Sequence, residues 1–503
     1  MDRAAARSSF DVVRRKVGGV LAPLVFFGLL IAPLDLPGPA HRLSAIFAAT
    51  VVLWVCEVIP LGATALIAPA LAVAMDVTPA AKAFAPFASP LIFLFLGGFM
   101  IALGLSEQGL DRRAALWLLA RDWVRGSPAR ARMAVGIGAF ACSMWISNTA
   151  TTAMLIPVAL GLCAAIRGAA LSEDQPKFDR YAEGTLLTLT YACSIGGIAT
   201  PIGTAPNVIA LDFLERQVGV QLDFFQWISF GLPTGLATLA IVLVYAERRF
   251  PAPVARLDRL TVEVKKQLDG LGPMSPGERR AAAVFLLAVT GWLLPSVLKV
   301  VLGAAHPVAA WADRCLQEGV VATLAGVLLC IVPGGRRRGE PVLPWDKAMR
   351  LDWSTLYLLG GGFSLGAMMF DTGLAEAVAR GFLAIAGPIA GSPFGLLAAS
   401  TFLVLWLTEV TSNVATTSMM VPVLIAIAQA AGIDPLPTIL CVTMAASFAF
   451  TLPVSTPPNA IAYGTGLIKI QSMIRFGIVL DLLGYLVLLA CGALLLPALG
   501  LGL

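Results

Sequence analysis

Long apolar runs separated by short polar connectors make up almost the whole chain. They fall near residues 17–35, 43–56, 60–76, 90–105, 133–166, 184–212, 224–246, 281–303, 318–333, 353–370, 382–428, 436–468 and 474–500. None alternates with the period of two that marks a half-buried strand. A helix needs about 20 apolar residues to cross the hydrocarbon core. Three runs (133–166, 382–428 and 436–468) are too long or too interrupted for one plain span. Gly and Pro punctuate many of the others, as membrane helices tolerate. The pattern predicts an all-α polytopic membrane protein.

Composition agrees and excludes the alternatives. Of 503 residues, 58% are hydrophobic and 13% charged, with a mean hydropathy of +0.85. Soluble domains carry about 25% charged residues. A soluble protein of this size could not cover so much apolar surface, and a disordered one would not contain it. The eight Cys sit mostly inside apolar runs with no C-x-x-C pair, and read as reduced, buried thiols. The two His, His41 and His306, lie in polar connectors, which leaves no histidine for a metalloenzyme or Ser-His pair within the spans. No H-E-x-x-H or G-x-G-D motif is present. An enzyme is therefore not expected. The charged N-terminal segment precedes an apolar run with no small-residue cleavage site after it, so that run is read as a retained span.

The basic residues are unevenly placed. Residues 1–16, 111–132, 247–280 and 334–350, with Arg167, Lys177, Arg180, Lys469 and Arg475, hold 29 of the 35 Lys and Arg. A model of about eleven transmembrane helices puts all of these on one side. It leaves Arg42, Lys82, Arg216, Lys299, Arg314 and Arg380 on the other. The positive-inside rule makes the larger set cytoplasmic. This requires the hairpins around 133–166 and 398–430 to be re-entrant, and it puts the N-terminus inside and the C-terminus outside.

The two halves of the chain resemble each other. Phe-Leu-Gly-Gly-Phe at 95–99 matches Leu-Gly-Gly-Gly-Phe at 359–363, and Gly109-Leu110 matches Gly373-Leu374. Ser-Asn-Thr-Ala-Thr-Thr-Ala-Met-Leu-Ile-Pro at 147–157 matches Ser-Asn-Val-Ala-Thr-Thr-Ser-Met-Met-Val-Pro at 412–422. Gly-Thr-Ala-Pro-Asn at 203–207 matches Ser-Thr-Pro-Pro-Asn at 455–459. In the topology above, equivalent segments run in opposite directions, forming an inverted repeat. Such repeats, with helices broken at matching positions, mark secondary transporters whose sites lie near the bilayer midplane. The expected organisation is a cytoplasmic segment 1–16, a first repeat 17–246, a cytoplasmic linker 247–280 and a second repeat 281–503. The first repeat has its hairpin around 133–166 and a broken span around 184–212. The second has its hairpin around 398–430 and a broken span around 436–468.

The motifs suit an anion and a small cation. Ser147-Asn148-Thr149 and Ser412-Asn413-Val414 lie in the middle of apolar hairpins, where polar groups are costly unless satisfied. Each precedes a helical run, and free N–H groups at a helix N-terminus favour a carboxylate. The prolines of the Thr-x-Pro-Asn segments free carbonyls, and these with Asn oxygens suit Na⁺. Caps and turns are the plain alternative for either motif alone. Glu57 and Glu409 sit in apolar surroundings and read equally as functional groups or as interhelical polar partners. Asp212 and Asp371 read as span-end residues, and Gly97, Gly98, Gly361 and Gly362 as close-packing positions.

From about Trp54 to the C-terminal span the chain resembles the divalent anion/sodium symporter (DASS) family of di- and tricarboxylate carriers. The most specific likeness lies at 144–154, at 408–417 and in the two Thr-x-Pro-Asn segments. The resemblance implies eleven spans with two re-entrant hairpins, scaffold and transport domains, a homodimer and an elevator motion. It implies that Ser147, Asn148 and Thr149 bind one substrate carboxylate and Ser412 and Asn413 the other. Thr204, Ala205, Thr456 and Pro457 would line the same pocket. One Na⁺ would lie among Ser143, Ser147, Asn148 and Gly203, and a second among Thr408, Ser412, Asn413 and Ser455. Val414 departs from the Thr of many relatives and removes one hydroxyl near the second carboxylate. The expected function is sodium-coupled symport of C4-dicarboxylates (succinate, malate, fumarate) across the plasma membrane, with Na⁺ as coupling ion. A sodium-independent dicarboxylate exchanger, or a carrier of citrate or of a divalent anion such as sulfate, is the alternative.

Overall fold

The computed structural model describes residues 9–500 apart from 125, 168–174, 255–257, 304 and 336–338. Arg336, Arg337 and Arg338 of the basic set, with Arg3, Arg7, Arg125 and Arg256, lie outside the described residues. The regular elements among the described residues are helices, and their one β pairing is an isolated bridge between Pro333 and Pro341. Six described helices are long and apolar enough to cross a membrane: Gly38–Cys56, Ala80–Gln108, Phe224–Arg249, Pro276–Leu302, Asn413–Ala430 and Ile470–Ala498. Counting Pro307–Cys315 and Glu318–Ile331, bent by 64°, as one span adds a seventh. Their outer faces carry exposed apolar side chains such as Val300, Leu324 and Leu494, as lipid contact demands. The protein is thus an all-helical, multi-pass membrane protein. Helix Ser9–Ile31 begins within the segment 1–16.

The overlong runs resolve into shorter helices with local causes. Run 133–166 becomes Pro128–Ser143 and Asn148–Arg167, joined by residues 144–147. Run 382–428 contains Pro393–Thr408 and Asn413–Ala430, joined by 409–412. Each first arm opens with a Ser-Pro pair. The Ser127 hydroxyl accepts from Arg130 N at 3.4 Å and the Ser392 hydroxyl from Gly395 N at 3.0 Å, with proline in the first turn, where it costs no hydrogen bond. Helix Gln175–Ile198 stops before Pro201 and the chain resumes as Ala205–Phe213. Pro435–Ala445 stops before Pro453 and resumes as Pro457–Tyr463. Residues 199–204 and 446–456 are therefore breaks in the middle of the protein.

The core is centred on Gln175–Ile198, buried on every side from Tyr181 onward. Its Thr185, Thr188 and Thr190 hydroxyls donate to carbonyls one turn back, so they need no partner from outside the helix. Glycines set the closest helix approaches. A Cβ on Gly97 would lie 2.2 Å from the Ala322 carbonyl carbon, and one on Gly361 would lie 2.4 Å from Ala65 O. All eight cysteines carry free thiols.

Candidate functional site

The two hairpin turns and the two breaks open onto one cavity of about 860 Å³. Ser147, Asn148, Thr149, Thr204, Ala205, Ser412, Asn413, Val414, Thr456 and Pro457 all line it, together with Gly203 and Ser455. Ser143 and Thr408 do not. They are buried behind the turns. The Ser143 hydroxyl donates to Asn148 Oδ1 at 2.7 Å, and the Thr408 hydroxyl donates to Asn413 Oδ1 at 2.8 Å. The same bond is thus made in both halves, with a serine in one and a threonine in the other. In the first half it turns the asparagine oxygen toward the hairpin, whereas in the second the single Thr408 proton is shared between Asn413 Oδ1 and Ala446 O, 2.7 Å away, which also ties that turn to the break.

Each turn ends where a helix begins. Ser147 Oγ accepts from Ala150 N at 3.3 Å, whereas Ser412 makes no capping bond. The N-termini of Asn148–Arg167 and Asn413–Ala430 therefore bring unpaired N–H groups, hydroxyls and amides to the same space. This is a donor set for an anion with no fixed positive charge among the motif residues.

The geometry of the breaks, alike in both halves, depends on Asn207 and Asn459, whose amides meet carbonyls that local sequence does not point to. Asn207 Nδ2 donates to Gly197 O at 2.9 Å and Thr200 O at 2.7 Å. Asn459 Nδ2 donates to Ala449 O at 2.8 Å and Leu452 O at 3.0 Å. Partner for partner, the two sets are separated by the same offset as the Thr-x-Pro-Asn motifs. Each amide satisfies two carbonyls that the broken helix orphans, and so holds the loop open beside the turn. The spacing of Pro and Asn was the available signal.

The opposite wall comes from helix Pro90–Gln108, through Phe95, Gly98, Phe99, Ala102 and Leu103, and from Leu61 and Leu358. Toward one end the lining turns polar, with Glu57, Ser106, Arg350, Asp352, Ser354 and Thr355. Trp145, at the first hairpin tip, stacks on Phe224 and Trp292 at centroid distances of 6.1 and 6.3 Å, which braces the turn against two outer helices.

The ionisable residues take different roles. Glu57 is a half-buried helix cap whose carboxylate pairs with Arg14 at 3.0 Å at the cavity mouth. Asp371 pairs with Lys82 at 2.9 Å, as a span-end residue would. Asp212 is buried. It accepts from the Ser89 hydroxyl and from Arg216 Nε, both at 2.9 Å, so it joins two elements instead of facing solvent. Glu409 is buried beside the second turn. Of the glycines, Gly98 faces the cavity, while Gly97 and Gly361 pack helices.

Known proteins agree with this architecture. The chain is 31% identical over 491 residues to a sodium-dependent dicarboxylate transporter, SdcS, of Staphylococcus saprophyticus, covering 96% of this chain and 92% of that one. It is 29% identical over 479 residues to the protein of the same name from Staphylococcus aureus, covering 94% and 89%. The crystal structure of the Alcanivorax borkumensis YdaH transporter superposes with a TM-score of 0.58 at 15% identity, over 93% of this chain and 100% of that one. The structure of Neisseria gonorrhoeae MtrF gives 0.56 at 13% identity, over 94% and 96%. At those identities the likeness is one of fold alone. The family model described as the sodium:sulfate symporter transmembrane region matches residues 15–501, and the chain therefore belongs to the divalent anion/sodium symporter family that this region defines.

Proposed function

We propose that this protein is a secondary active transporter that couples Na⁺ to the symport of a C4-dicarboxylate such as succinate, malate or fumarate. The observation that carries the reading is the paired Ser-Asn turns, each backed by its own hydroxyl–amide bond, on two walls of one cavity. A dicarboxylate has two like ends, and a duplicated neutral donor site suits two like ends. Ser147, Asn148 and Thr149 take one carboxylate, and Ser412 and Asn413 take the other. Thr204, Ala205, Thr456 and Pro457 complete the pocket, with Val414 apolar beside the second end. One Na⁺ sits among Ser143, Ser147, Asn148 and Gly203, and the other among Thr408, Ser412, Asn413 and Ser455. Because Asn148 and Asn413 belong to both sets, ion and anion binding reinforce each other. A divalent anion in an apolar cavity is unfavourable until cations neutralise it. The SdcS relatives, named for sodium-dependent dicarboxylate transport, support both the ion and the substrate class.

The finer reading has eleven spans, counting helices broken in mid-membrane, and two re-entrant hairpins in an inverted repeat. The transport domain comprises the hairpins and broken helices. It slides as an elevator against the scaffold of a homodimer in the plasma membrane, with the N-terminus inside and the C-terminus outside. In that orientation the polar mouth at Ser106, Arg350 and Asp352 faces the cytoplasm. Sulfate, for which the family model is described, is the second substrate reading.

Thermal stability of the purified protein against a panel of anions, in Na⁺ and then in K⁺ or choline, tests the reading. A ligand that binds only the folded state raises its apparent stability. Stabilisation by succinate or malate that requires Na⁺ is expected. Stabilisation regardless of cation would replace the symporter with an exchanger, and stabilisation by sulfate alone would replace the substrate class.

A further inference from the structure

The hydroxyls around the two turns are not used alike. Thr204 and Thr456 open the helices Ala205–Phe213 and Pro457–Tyr463 with nearly the same backbone, φ −151° and ψ 148° against φ −141° and ψ 151°. Their side chains differ. Thr456 is 5% exposed and its Oγ1 accepts from Asn459 N at 3.3 Å, so it caps its own helix. Its neighbour Ser455 spends its proton on Glu409. Thr204 makes no capping bond, is half-buried and lines the cavity. Among the described residues its hydroxyl has no hydrogen-bond partner.

Thr204 also stands beside the first turn. A Cβ on Gly203 would lie 2.5 Å from Gly197 O, and one on Gly197 would lie 2.6 Å from Asn148 Oδ1, so the break, the helix end and the turn are in close contact. A group at Thr204 therefore reaches the part of a ligand next to the carboxylate that this turn holds. The second half offers nothing equivalent. Both hydroxyls of its break are engaged, and Val414 stands where the first turn has Thr149. Ser412 and Asn413 remain as the donors there, which is what a bare carboxylate takes.

Backbone N–H and amide N–H₂ groups only donate, and that suits carboxylate oxygens. A hydroxyl donates and accepts, so it can also take the proton of a substrate hydroxyl. The first end thus has one group more than a carboxylate needs, of the kind that a C–OH requires. We propose that Thr204 is a specificity residue that receives the 2-hydroxyl of a hydroxylated C4-dicarboxylate. Malate then binds in one orientation, with its hydroxylated end at Asn148 and its methylene end beside Val414, and is preferred to succinate. The inference rests on the dicarboxylate reading of the cavity. Two carboxylates held at the turns and a hydroxyl held at Thr204 fix the substituted carbon at three points, so one enantiomer of malate makes all three contacts and the other does not.

The test is the half-saturating concentration of L-malate, D-malate and succinate, read by competition against labelled succinate entering proteoliposomes down a Na⁺ gradient. In the wild type one malate enantiomer should bind about fivefold more tightly than succinate, as one added hydrogen bond gives. Thr204→Val should bring that ratio close to one, whatever it does to both values. Thr204→Ser keeps the hydroxyl and should keep the preference. Thr456→Val loses a helix cap and should weaken both substrates alike, with the ratio retained. A wild type that binds succinate as tightly as either enantiomer would overturn the inference however the variants fold, and so would a preference that survives in Thr204→Val. Wild-type uptake that is indifferent to Na⁺, or that none of the three compounds inhibits, would instead defeat the functional reading on which this inference rests.

Discussion

Replacing Gly197 by alanine should separate the proposed sodium site at Asn148 from the fold. Gly197 lies in the last turn of helix Gln175–Ile198, facing Asn148. An added Cβ would sit 2.6 Å from Asn148 Oδ1, 3.0 Å from Nδ2 and 3.2 Å from Cγ. Carbon contacts relax at about 3.5–4.0 Å, so the amide must move by roughly 1 Å. The Asn148 oxygen already accepts the Ser143 hydroxyl at 2.7 Å, and that bond is worth about 1 kcal/mol net. Misplacing a binding group by roughly 1 Å can cost on the order of 10²-fold in rate. The helix itself gains about 0.5–1 kcal/mol from Gly to Ala. Folding should therefore be retained, while the half-saturating Na⁺ concentration for succinate uptake rises by about tenfold or more. Gly98→Ala is the control on the same cavity, because its Cβ would meet nothing closer than Ile202 Cβ at 3.9 Å. The assay is uptake into proteoliposomes against Na⁺ concentration. Wild-type sodium dependence in a folded Gly197→Ala protein would refute the placement of Asn148 in the ion site.

Further predictions concern packing and burial. Gly97→Ala forces a carbon into the backbone of Ala322, 2.2 Å from its carbonyl carbon. It should lose about 1–3 kcal/mol of stability, as overpacked cores do, seen as a lower melting temperature, whereas Gly98→Ala should not. Arg132 is 2% exposed. Its guanidinium donates to Phe250 O at 2.5 Å, pairs with Glu247 and lies over the Tyr181 ring. Arg132→Ala leaves the Phe250 carbonyl without its buried donor and should cost about 1–3 kcal/mol, since the half-exposed Glu247 can turn to water, with Arg132→Met costing less because it keeps the volume. Equal thermal stability of both variants and the wild type would show that this contact does not hold the hairpin's outer end.

Much of the architecture was legible in the sequence because a membrane imposes local demands. Each residue facing lipid must be apolar, so class and helical content follow from composition and periodicity. A serine, an asparagine and a proline inside such runs are conspicuous for the same reason, and their recurrence in order linked the two halves before any contact was known. Span counting was harder. Pro393–Thr408 and Pro435–Ala445 end at breaks and are shorter than a span, so hydropathy cannot say where one crossing stops.

Convergence needed the tertiary structure. The offsets that pair Ser143 with Thr408 and Asn207 with Asn459 do not say what those side chains touch. Only the folded chain puts the two hydroxyls behind the amides and the two asparagines across the breaks. Glu57 and Glu409 looked alike as acidic residues after a tryptophan and an apolar stretch. Packing made one a helix cap paired with Arg14 and the other a buried carboxylate against Asp481. Asp481 itself carried no sequence signal, since its meaning lies wholly in a partner from a different helix. The chain by itself determined what each segment could bury and where polar groups would be strained. The tertiary structure decided which of those groups meet, because contact between distant segments depends on helix packing and not on local periodicity.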